Sequence, residues 1–146
     1  MKITLEAVTQ QNYQAVCELE VKEAQKYYVA SNLWSIVESK FHPEYVSRAI
    51  CLDQVPVGLL MWVPETTQKM SIWRFMVGQQ HQQQGIGRVA LNLALAEIRQ
   101  TAGLSQIEIC YHPENPVAKD FYASFGFVEI GMDAEDEDML AMIQLD

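Results

Sequence analysis

A glycine-bearing turn, Gln82-Gln83-Gln84-Gly85-Ile86-Gly87, comes directly before the most regular helical pattern in the sequence. Because Gly85 and Gly87 lack a Cβ atom, the backbone can bend tightly there and a ligand can approach it closely. The free N–H groups of a helix start and the positive end of the helix dipole bind phosphate groups, and Arg88 would add a positive charge. The turn therefore predicts a pyrophosphate site, and a plain strand-to-helix connection with two glycines is the alternative.

The turn does not match the two common nucleotide-binding loops. A loop for nucleoside triphosphates needs Gly-Lys-Ser/Thr, whereas Arg88 and Val89 follow Gly87 here. A dinucleotide loop needs a third glycine where Ala90 stands and an acidic residue where Cys110 stands. Both ligand classes are therefore disfavoured.

Hydrophobic periodicity predicts the elements that must position this turn. Apolar residues recur at three- and four-residue spacing over residues 86–101, and Gly103 lies just beyond, which predicts a helix that ends there. Strand patterns precede the helix at residues 71–77 and follow it at residues 106–111. The order predicts a strand-helix-strand crossover with the glycine turn after its first strand.

The remaining segments follow from the same patterns. Further strands are predicted at residues 1–8, 46–52, 55–63, 127–130 and 139–145, and further helices around Tyr13 and from the N-cap residues Ser31 and Asn115. Asp53-Gln54 would connect two of the strands as a hairpin. The sum is an α/β fold with a mixed sheet, in one domain that covers residues 1–146.

The composition limits the classes of partner. A net charge of −9 would repel a nucleic-acid backbone, so nucleic acid is disfavoured. No stretch approaches the roughly 18 apolar residues that span a bilayer, and the N-terminus lacks the apolar run of a signal peptide, so we expect no membrane contact and a cytoplasmic protein. Cys17, Cys51 and Cys110 have no metal-ligand spacing, so we expect buried thiols and no metal site.

The glycine turn and a second motif together resemble the GNAT acetyltransferase family. Gln82, Gly85 and Gly87 meet the family's motif A, Gln/Arg-x-x-Gly-x-Gly/Ala. Residues 115–127 look like its helix motif Asn-x-x-Ala-x-x-Phe-Tyr-x-x-x-Gly-Phe. The two motifs occur in the order and separation of the family, and the order of elements agrees over nearly the whole chain. Chance agreement of both motifs is improbable.

Two shorter strings resemble the diamine and spermine/spermidine acetyltransferases of this family. They are Val29-Ala30-Ser31-Asn32 and Trp73-Arg74-Phe75-Met76. The resemblance implies a single-domain GNAT fold, with a mixed sheet of about six to seven strands and about four flanking helices. It also implies acetyl-CoA as cosubstrate.

In the implied cofactor site, two strands splay apart to admit the pantetheine arm. The backbone of Met76 and Val77 would hold the arm and the acetyl carbonyl, and residues 82–88 would hold the pyrophosphate. Asn115 would cap the last helix and reach the cofactor, with capping alone as the other interpretation. Tyr122 stands at the family's position for the acid that protonates the departing thiolate.

The transfer also needs a base, because an alkyl amine with a pKa of about 10.4 is protonated at pH 7 and cannot attack a thioester. Glu38 is our first choice, and His112 is an alternative whose usual pKa of about 6.5 suits the task. Glu20, Glu23 and Glu38 could also bind distant ammonium groups of the acceptor. Each glutamate is otherwise an ordinary solvated helix residue. Gly78 stands where related sequences often carry an acidic residue.

Two further features keep alternatives open. Arg74 would share a face with Ile72 and Met76 by the two-residue period of a strand, and it is either ion-paired or lines the cofactor slot. Residues 133–138 carry five carboxylates in six positions, and we interpret them as a solvated hairpin tip. Attraction of cationic substrates is the other interpretation.

The resemblance predicts transfer of acetyl from acetyl-CoA to a primary amine of a small cationic acceptor, such as a polyamine or diamine. Protein N-termini and aminoglycosides remain alternative acceptors, because the acceptor segment, residues 20–45, does not exclude them. A third hypothesis is a non-catalytic acyl-CoA-binding sensor. The exposed final strands are compatible with a homodimer.

Overall fold

The protein is built around one mixed sheet. The computed structural model describes residues 2–28 and 30–146, and the seven strands in them all belong to this sheet. The strands are β1 Ile3–Ala7, β2 Val46–Leu52, β3 Val55–Pro64, β4 Lys69–Val77, β5 Gln106–Tyr111, β6 Val128–Met132 and β7 Met139–Gln144. The helices are α1 Tyr13–Glu18, α2 Asn32–Lys40, α3 Ile86–Ile98 and α4 Ala118–Ala123, with short 3₁₀ helices at Glu23–Gln25 and Gln79–His81. The predicted α/β fold is confirmed; Met1 and Val29, which belong to two of the predicted segments, lie outside the described residues.

The sheet joins an antiparallel meander to a parallel crossover. β1 to β4 are antiparallel neighbours, β5 lies parallel to β4, and the full order is β1-β2-β3-β4-β5-β7-β6. α3 connects β4 to β5, as a parallel pair requires. β6 is an edge strand whose Val128 and Ile130 side chains are exposed. A homodimer through the final strands stays a prediction.

Each face of the sheet has its own apolar core. α3 and α4 cover the face that contains Ile72 and Ile109. α1 and α2 cover part of the other face, where Val16 and Met76 form a smaller cluster. The three- and four-residue spacing in α3 places its buried side chains on one stripe: Ile86, Ala90, Leu91, Ala94, Leu95 and Ile98.

Local signals set two of the predicted element ends. The Ser31 Oγ accepts a hydrogen bond from the Trp34 N–H at 3.1 Å and caps α2, as expected. The β2–β3 hairpin turns at Asp53 and Gln54, whose φ angles of 49° and 74° give the left-handed geometry that short hairpins favour. Neither residue is glycine, so this turn carries some backbone strain.

The last helix starts later than the sequence predicts. Asn115 is not its N-cap, because residues 116–117 form a turn first and α4 begins at Ala118 with Val117 as the cap. The Asn115 Oδ1 lies 3.4 Å from the Val117 N–H, and the Asn115 carbonyl accepts from the Ala118 N–H at 3.4 Å. The expectation that Asn115 caps this helix was therefore wrong: it belongs to the preceding turn.

A bulge in β4 changes which side chains share a face. The pairing of β4 with β3 shifts between Ile72 and Arg74, which leaves Trp73 as an extra residue. Ile72 consequently packs against α3, whereas Met76 packs with α1 and α2. The predicted common face of Ile72 and Met76 was wrong because one inserted residue shifts the two-residue period.

α2 turns polar residues towards the protein and apolar ones towards solvent. Asn32 is 4% exposed, whereas Leu33 is 59% exposed. The Asn32 side-chain amide donates to the Val16 carbonyl oxygen at 2.8 Å and lies 3.4 Å from the Met76 sulfur. One buried amide therefore joins α2 to α1 and to β4.

Truncation of this buried amide should destabilise the protein more than truncation of its apolar neighbour. Asn32→Ala removes one buried hydrogen bond to the Val16 carbonyl, which keeps its bond from the Leu19 N–H, so we expect a loss of about 1 kcal/mol in the free energy of unfolding. Leu33→Ala, at the exposed next position, should change it by about 0.5 kcal/mol or less. Urea unfolding followed by circular dichroism measures both, and a larger effect of Leu33→Ala would contradict the inverted packing of α2.

Candidate active site

β4 and β5 part after four paired residues. Their parallel pairing covers residues 69–72 of β4 and 106–109 of β5, and no further pair between these two strands follows within the described residues. The bulge at Trp73 comes directly afterwards. A cavity of about 840 Å³ opens there and is lined by side chains of both strands. β4 stays paired with β3 as far as Val77, so its other edge faces the cavity.

The glycine turn has the form of a phosphate site. Gly85 is the N-cap of α3 with φ of 80°, so no side chain covers the first N–H groups of this thirteen-residue helix. A Cβ atom at Gly85 would meet no heavy atom within 4 Å, so the backbone is open to a ligand. Ile86 is buried and anchors the helix start, while Gln83 and Gln84 are exposed. The turn therefore fits the pyrophosphate of acetyl-CoA.

Three predicted cofactor residues flank this turn. Arg88 lies on the rings of Phe121 and Phe125, 5.3 and 4.8 Å from their centroids, which holds its charge beside the turn. The Met76 side chain is buried beneath α1 and α2, so only its backbone can serve a ligand. The Val77 carbonyl already accepts a hydrogen bond from the Gln82 side chain at 2.9 Å.

Tyr122 lies where the two strands part. Its ring stacks on Tyr111, with centroids 5.3 Å apart, and lies 6.5 Å from Phe75 of β4. The Tyr111 hydroxyl donates to Glu129 at 2.5 Å. The Tyr122 hydroxyl has no hydrogen-bond partner among the residues that the structure describes. Burial raises the pKa of Tyr122, so this hydroxyl keeps its proton at neutral pH.

Aromatic rings form one wall of the cavity. Tyr27, Tyr28 and His112 pack with ring centroids 4.8 to 5.6 Å apart, and Asn115 lines the same cavity. The His112 Nδ1 accepts from the Glu114 N–H at 3.1 Å, so the neutral ring carries its proton on Nε2. This tautomer leaves His112 no free lone pair to accept a proton from an amine. Its geometry favours a place in the wall over a role as base.

Part of the acidic segment also lines the cavity. The lining includes three of its acidic residues: Asp136, Glu137 and Asp138. Burial and the nearby Asp133 raise the pKa of Asp138, while His112 and Arg74 pull it down. The interpretation of residues 133–138 as a solvated tip was therefore incomplete, because the fold brings this end of the hairpin to the parted strands.

The predicted glutamates occupy other positions. The Glu38 Oε1 lies 3.3 Å from the Arg74 Nη2, and Arg74 lines the cavity, whereas Glu38 is not among the described residues that line it. Arg74 is thus both ion-paired and part of the cavity wall. Glu20 and Glu23 are exposed and lie 3.7 and 3.1 Å from the Lys26 ammonium, also outside the main cavity.

Sequence reasoning missed the aromatic wall and the position of the carboxylates. Tyr27 and Tyr28 offered a signal as adjacent aromatic residues in the acceptor segment. The run at residues 133–138 was visible, but its place depends on how β6 and β7 order in the sheet. Neither fact can be obtained from local spacing.

Thiols, metals and membranes were subjects of separate expectations. All three cysteines are free; Cys51 is buried, while Cys17 and Cys110 are only partly buried. Burial raises the pKa of the Cys110 thiol to about 11, so it is no thiolate at neutral pH. Within residues 2–28 and 30–146, no group of three or more His, Cys, Asp or Glu side chains could hold a metal ion. In the same residues no helix has the length and apolar character to cross a bilayer.

In this protein β4 and β5 part beside an open glycine turn and the protonated hydroxyl of Tyr122. This arrangement is typical of a coenzyme A-dependent acyltransferase. The model of the Acetyltransferase (GNAT) family matches residues 9–127. The chain therefore belongs to the GNAT family, and it is an acetyl-CoA-dependent N-acetyltransferase.

Individual relatives are distant but span nearly the whole chain. Spermine/spermidine N(1)-acetyltransferase from Bacillus subtilis (strain 168) is 24% identical over 134 residues, which are 87% of this chain and 88% of the relative. The spermidine N-acetyltransferase from Vibrio cholerae, solved in complex with CoA and spermine, superposes with a TM-score of 0.79 at 19% identity and covers 97% of this chain and 95% of that one. PaiA N-acetyltransferase from Thermoplasma acidophilum, solved in complex with coenzyme A, superposes with a TM-score of 0.74 at 18% identity. The match covers 99% of this chain and 100% of that one. These structural likenesses show the fold.

Proposed function

We propose that this enzyme acetylates a primary amine of a small cationic acceptor, a polyamine or diamine. One observation carries the proposal: a single cavity contains the parted strands, Tyr122 and the carboxylates of Asp136, Glu137 and Asp138. Two of the similar proteins are named for spermine or spermidine, which adds support.

The size and charge of the cavity suit this substrate class. Its volume of about 840 Å³ falls within the range of roughly 300–1,000 Å³ that small-molecule sites occupy. A diamine must present one uncharged nitrogen to the thioester and keep an ammonium group farther along its chain. The carboxylates of Asp136 and Glu137 attract that ammonium group, and a partly enclosed site screens the attraction less than open solvent does. The net charge of −9 also favours the approach of a cation.

The protein supplies the cofactor site from three places. Residues 82–88 hold the pyrophosphate, the backbone of Met76 and Val77 holds the pantetheine arm, and Asn115 reaches the same ligand from the cavity wall. When bound, acetyl-CoA supplies an acetyl group activated as a thioester. Because the turn is exposed and the parted strands lie beside it, one extended ligand can occupy both.

Asp138 is the base that we propose in view of the geometry. The acceptor amine arrives protonated, with a pKa of about 10.4, and must lose a proton before it can attack. Asp138 lines the cavity, and burial raises its pKa, which makes its carboxylate a better proton acceptor than a solvated one. Glu38 remains the second candidate: it lies behind Arg74 and would act through a water molecule.

Tyr122 is the acid. Its hydroxyl retains a proton at neutral pH and lies at the point where β4 and β5 diverge, so it donates that proton to the departing thiolate. Tyr111 cannot replace it, since its hydroxyl already donates to Glu129. Glu20 and Glu23 pair with Lys26 outside the cavity, and we assign the binding of the distant ammonium group to Asp136 and Glu137 instead.

An acceptor panel tests the function. With acetyl-CoA saturating, release of free coenzyme A is followed for putrescine, spermidine, spermine, n-butylamine, an aminoglycoside and an N-terminal peptide. We expect kcat/KM for putrescine to exceed that for n-butylamine, which has the same carbon chain and one charge fewer, by about tenfold, or about 1.4 kcal/mol. If the peptide or the aminoglycoside reacts faster than the polyamines, the acceptor is a protein N-terminus or an aminoglycoside and the proposed acceptor class is wrong. Coenzyme A binding without turnover on any amine would support the sensor hypothesis.

Tyr122→Phe should separate proton donation from cofactor binding. Because the ring and its stacking on Tyr111 are kept, we expect the Kd for coenzyme A to stay within about twofold while kcat falls by about 10²–10⁴. Tyr111→Phe is the matched control, since it removes a hydroxyl from the adjacent ring and should leave most of the turnover. Unchanged kcat in Tyr122→Phe, with chemistry shown to be rate-limiting, would exclude Tyr122 as the acid.

The pH profile of kcat distinguishes the two candidate bases. Asp138 accepts a proton only when it is ionised, so kcat should fall as the pH drops through its pKa, and burial places that limb at higher pH than for a solvated aspartate. Asp138→Asn should lower kcat by about 10²-fold or more and remove the limb. Asp136→Asn, on the same exposed loop, and Glu38→Gln should retain it. Loss of the limb in Glu38→Gln alone would make Glu38 the base.

A further inference from the structure

Two glutamine side chains join the cofactor turn to the acceptor segment. The Gln82 Nε2 donates to the Gln25 Oε1 at 2.9 Å, and the Gln25 Nε2 donates back to the Gln82 Oε1 at 3.2 Å. The two residues are 57 positions apart in the chain, and the pair is partly buried. Reciprocal bonds of this kind hold two amide planes in one relative orientation. We call this contact the Gln25–Gln82 pair.

Backbone groups fix the orientation of both amides. Gln82 Nε2 also donates to the Val77 carbonyl oxygen at 2.9 Å, which only a nitrogen can do. Gln25 Oε1 also accepts from the Lys22 N–H at 3.0 Å, which only an oxygen can do. A flipped side chain at either residue would lose a backbone bond and place like atoms face to face. The pair is therefore specific.

The pair connects the two halves of the site. On one side Gln82 opens the glycine turn and reaches back to Val77, where β4 ends beside the cavity. On the other side the backbone carbonyl of Gln25 accepts a hydrogen bond from the Tyr28 N–H at 2.9 Å. Gln25 is therefore bonded directly to a residue of the aromatic wall. A second link runs parallel to it, because the Gln79 N–H donates to the Glu20 carbonyl at 2.7 Å.

We propose that Gln25 is a positioning residue, which sets the aromatic wall of the acceptor cavity according to the state of the cofactor turn. A ligand bound to the glycine turn restricts the backbone of the turn and the side chain of Gln82. Because Gln25 is hydrogen-bonded to Gln82, its position is restricted as well, and so are the positions of Tyr27 and Tyr28 that follow it. Affinity for the amine is then higher when the cofactor is bound, and by thermodynamic reciprocity the amine strengthens the binding of coenzyme A. The part of this inference that concerns an amine rests on the proposed function.

Steady-state kinetics of Gln25→Ala test the acceptor side. Because Gln25 touches neither reacting group, we expect the KM for the best amine of the panel to rise about tenfold, with kcat and the Kd for coenzyme A without amine each within about twofold. Gln25→Glu keeps both acceptor bonds but cannot donate to Gln82, so its KM should lie between those of the wild type and Gln25→Ala. Gln14→Ala is the control: this exposed glutamine of α1 contacts Glu18 and should leave all three constants unchanged. An unchanged amine KM, or a Kd for coenzyme A that rises as much as the KM, overturns the proposal.

Hydrogen exchange tests the same pair without any amine. Coenzyme A should slow exchange of the backbone amides of residues 23–28 in the wild type, and this protection should be absent in Gln25→Ala while residues 82–88 stay protected. If the wild type acetylates no cationic amine, the proposed function fails, yet this exchange difference still reports the coupling. If coenzyme A protects residues 82–88 and leaves residues 23–28 unaffected in the wild type, the coupling fails whatever the acceptor is.

Discussion

The point at which β4 and β5 stop pairing is the constraint on which the rest of the structure depends. A parallel pair normally continues for the length of its strands, and an interruption leaves backbone N–H and C=O groups that need other partners. The bulge at Trp73 turns β4 away from β5, while pairing with β3 holds it in the sheet as far as Val77. That pairing is tight: a Cβ atom at Gly58 of β3 would clash with the Met76 carbonyl oxygen, so only glycine fits there. One strand edge is therefore kept open while the other is kept closed.

Opposite charges are separated around this opening. The start of α3 presents uncovered N–H groups and Arg88, which suit an anionic phosphate chain. Residues 136–138 line the cavity at the parted strands, and their carboxylates suit a cation. An overall charge of −9 would repel a polyphosphate ligand if it were evenly spread, so the local helix dipole and Arg88 must reverse the field at the turn. The positive and the negative groups therefore lie at separate places around the parted strands.

The sequence predicted the structural features that depend on neighbouring residues. It did not predict the features that depend on contacts between distant parts of the chain. The α3 stripe, the Ser31 cap and the Asp53-Gln54 hairpin follow from spacing and residue type, and all three were predicted. The bulge at Trp73 has no such signal, because no glycine or proline marks it and β3 sets its position. The sequence of α2 is typical of an apolar helix, yet α2 buries Asn32, whose side-chain amide donates to the Val16 carbonyl. Residues 136–138 reach the cavity only through the order of β5, β7 and β6.

Residues 20–45 are attached to the end of β4 and the glycine turn by polar contacts as well as by apolar packing of Val21 and Ile36. Asn32 fixes the start of α2 to Val16 and Met76, and Gln25 fixes the preceding turn to Gln82. Hydrogen bonds are directional and individually weak, at about 0.5–1.5 kcal/mol net, whereas a packed apolar contact tolerates no small adjustment without loss of density. A segment held in this way can follow a small shift of the glycine turn without disturbing the core. The Gln25 and Asn32 side chains thus give residues 20–45 directional attachment points on the glycine turn and on β4, which apolar packing alone does not supply.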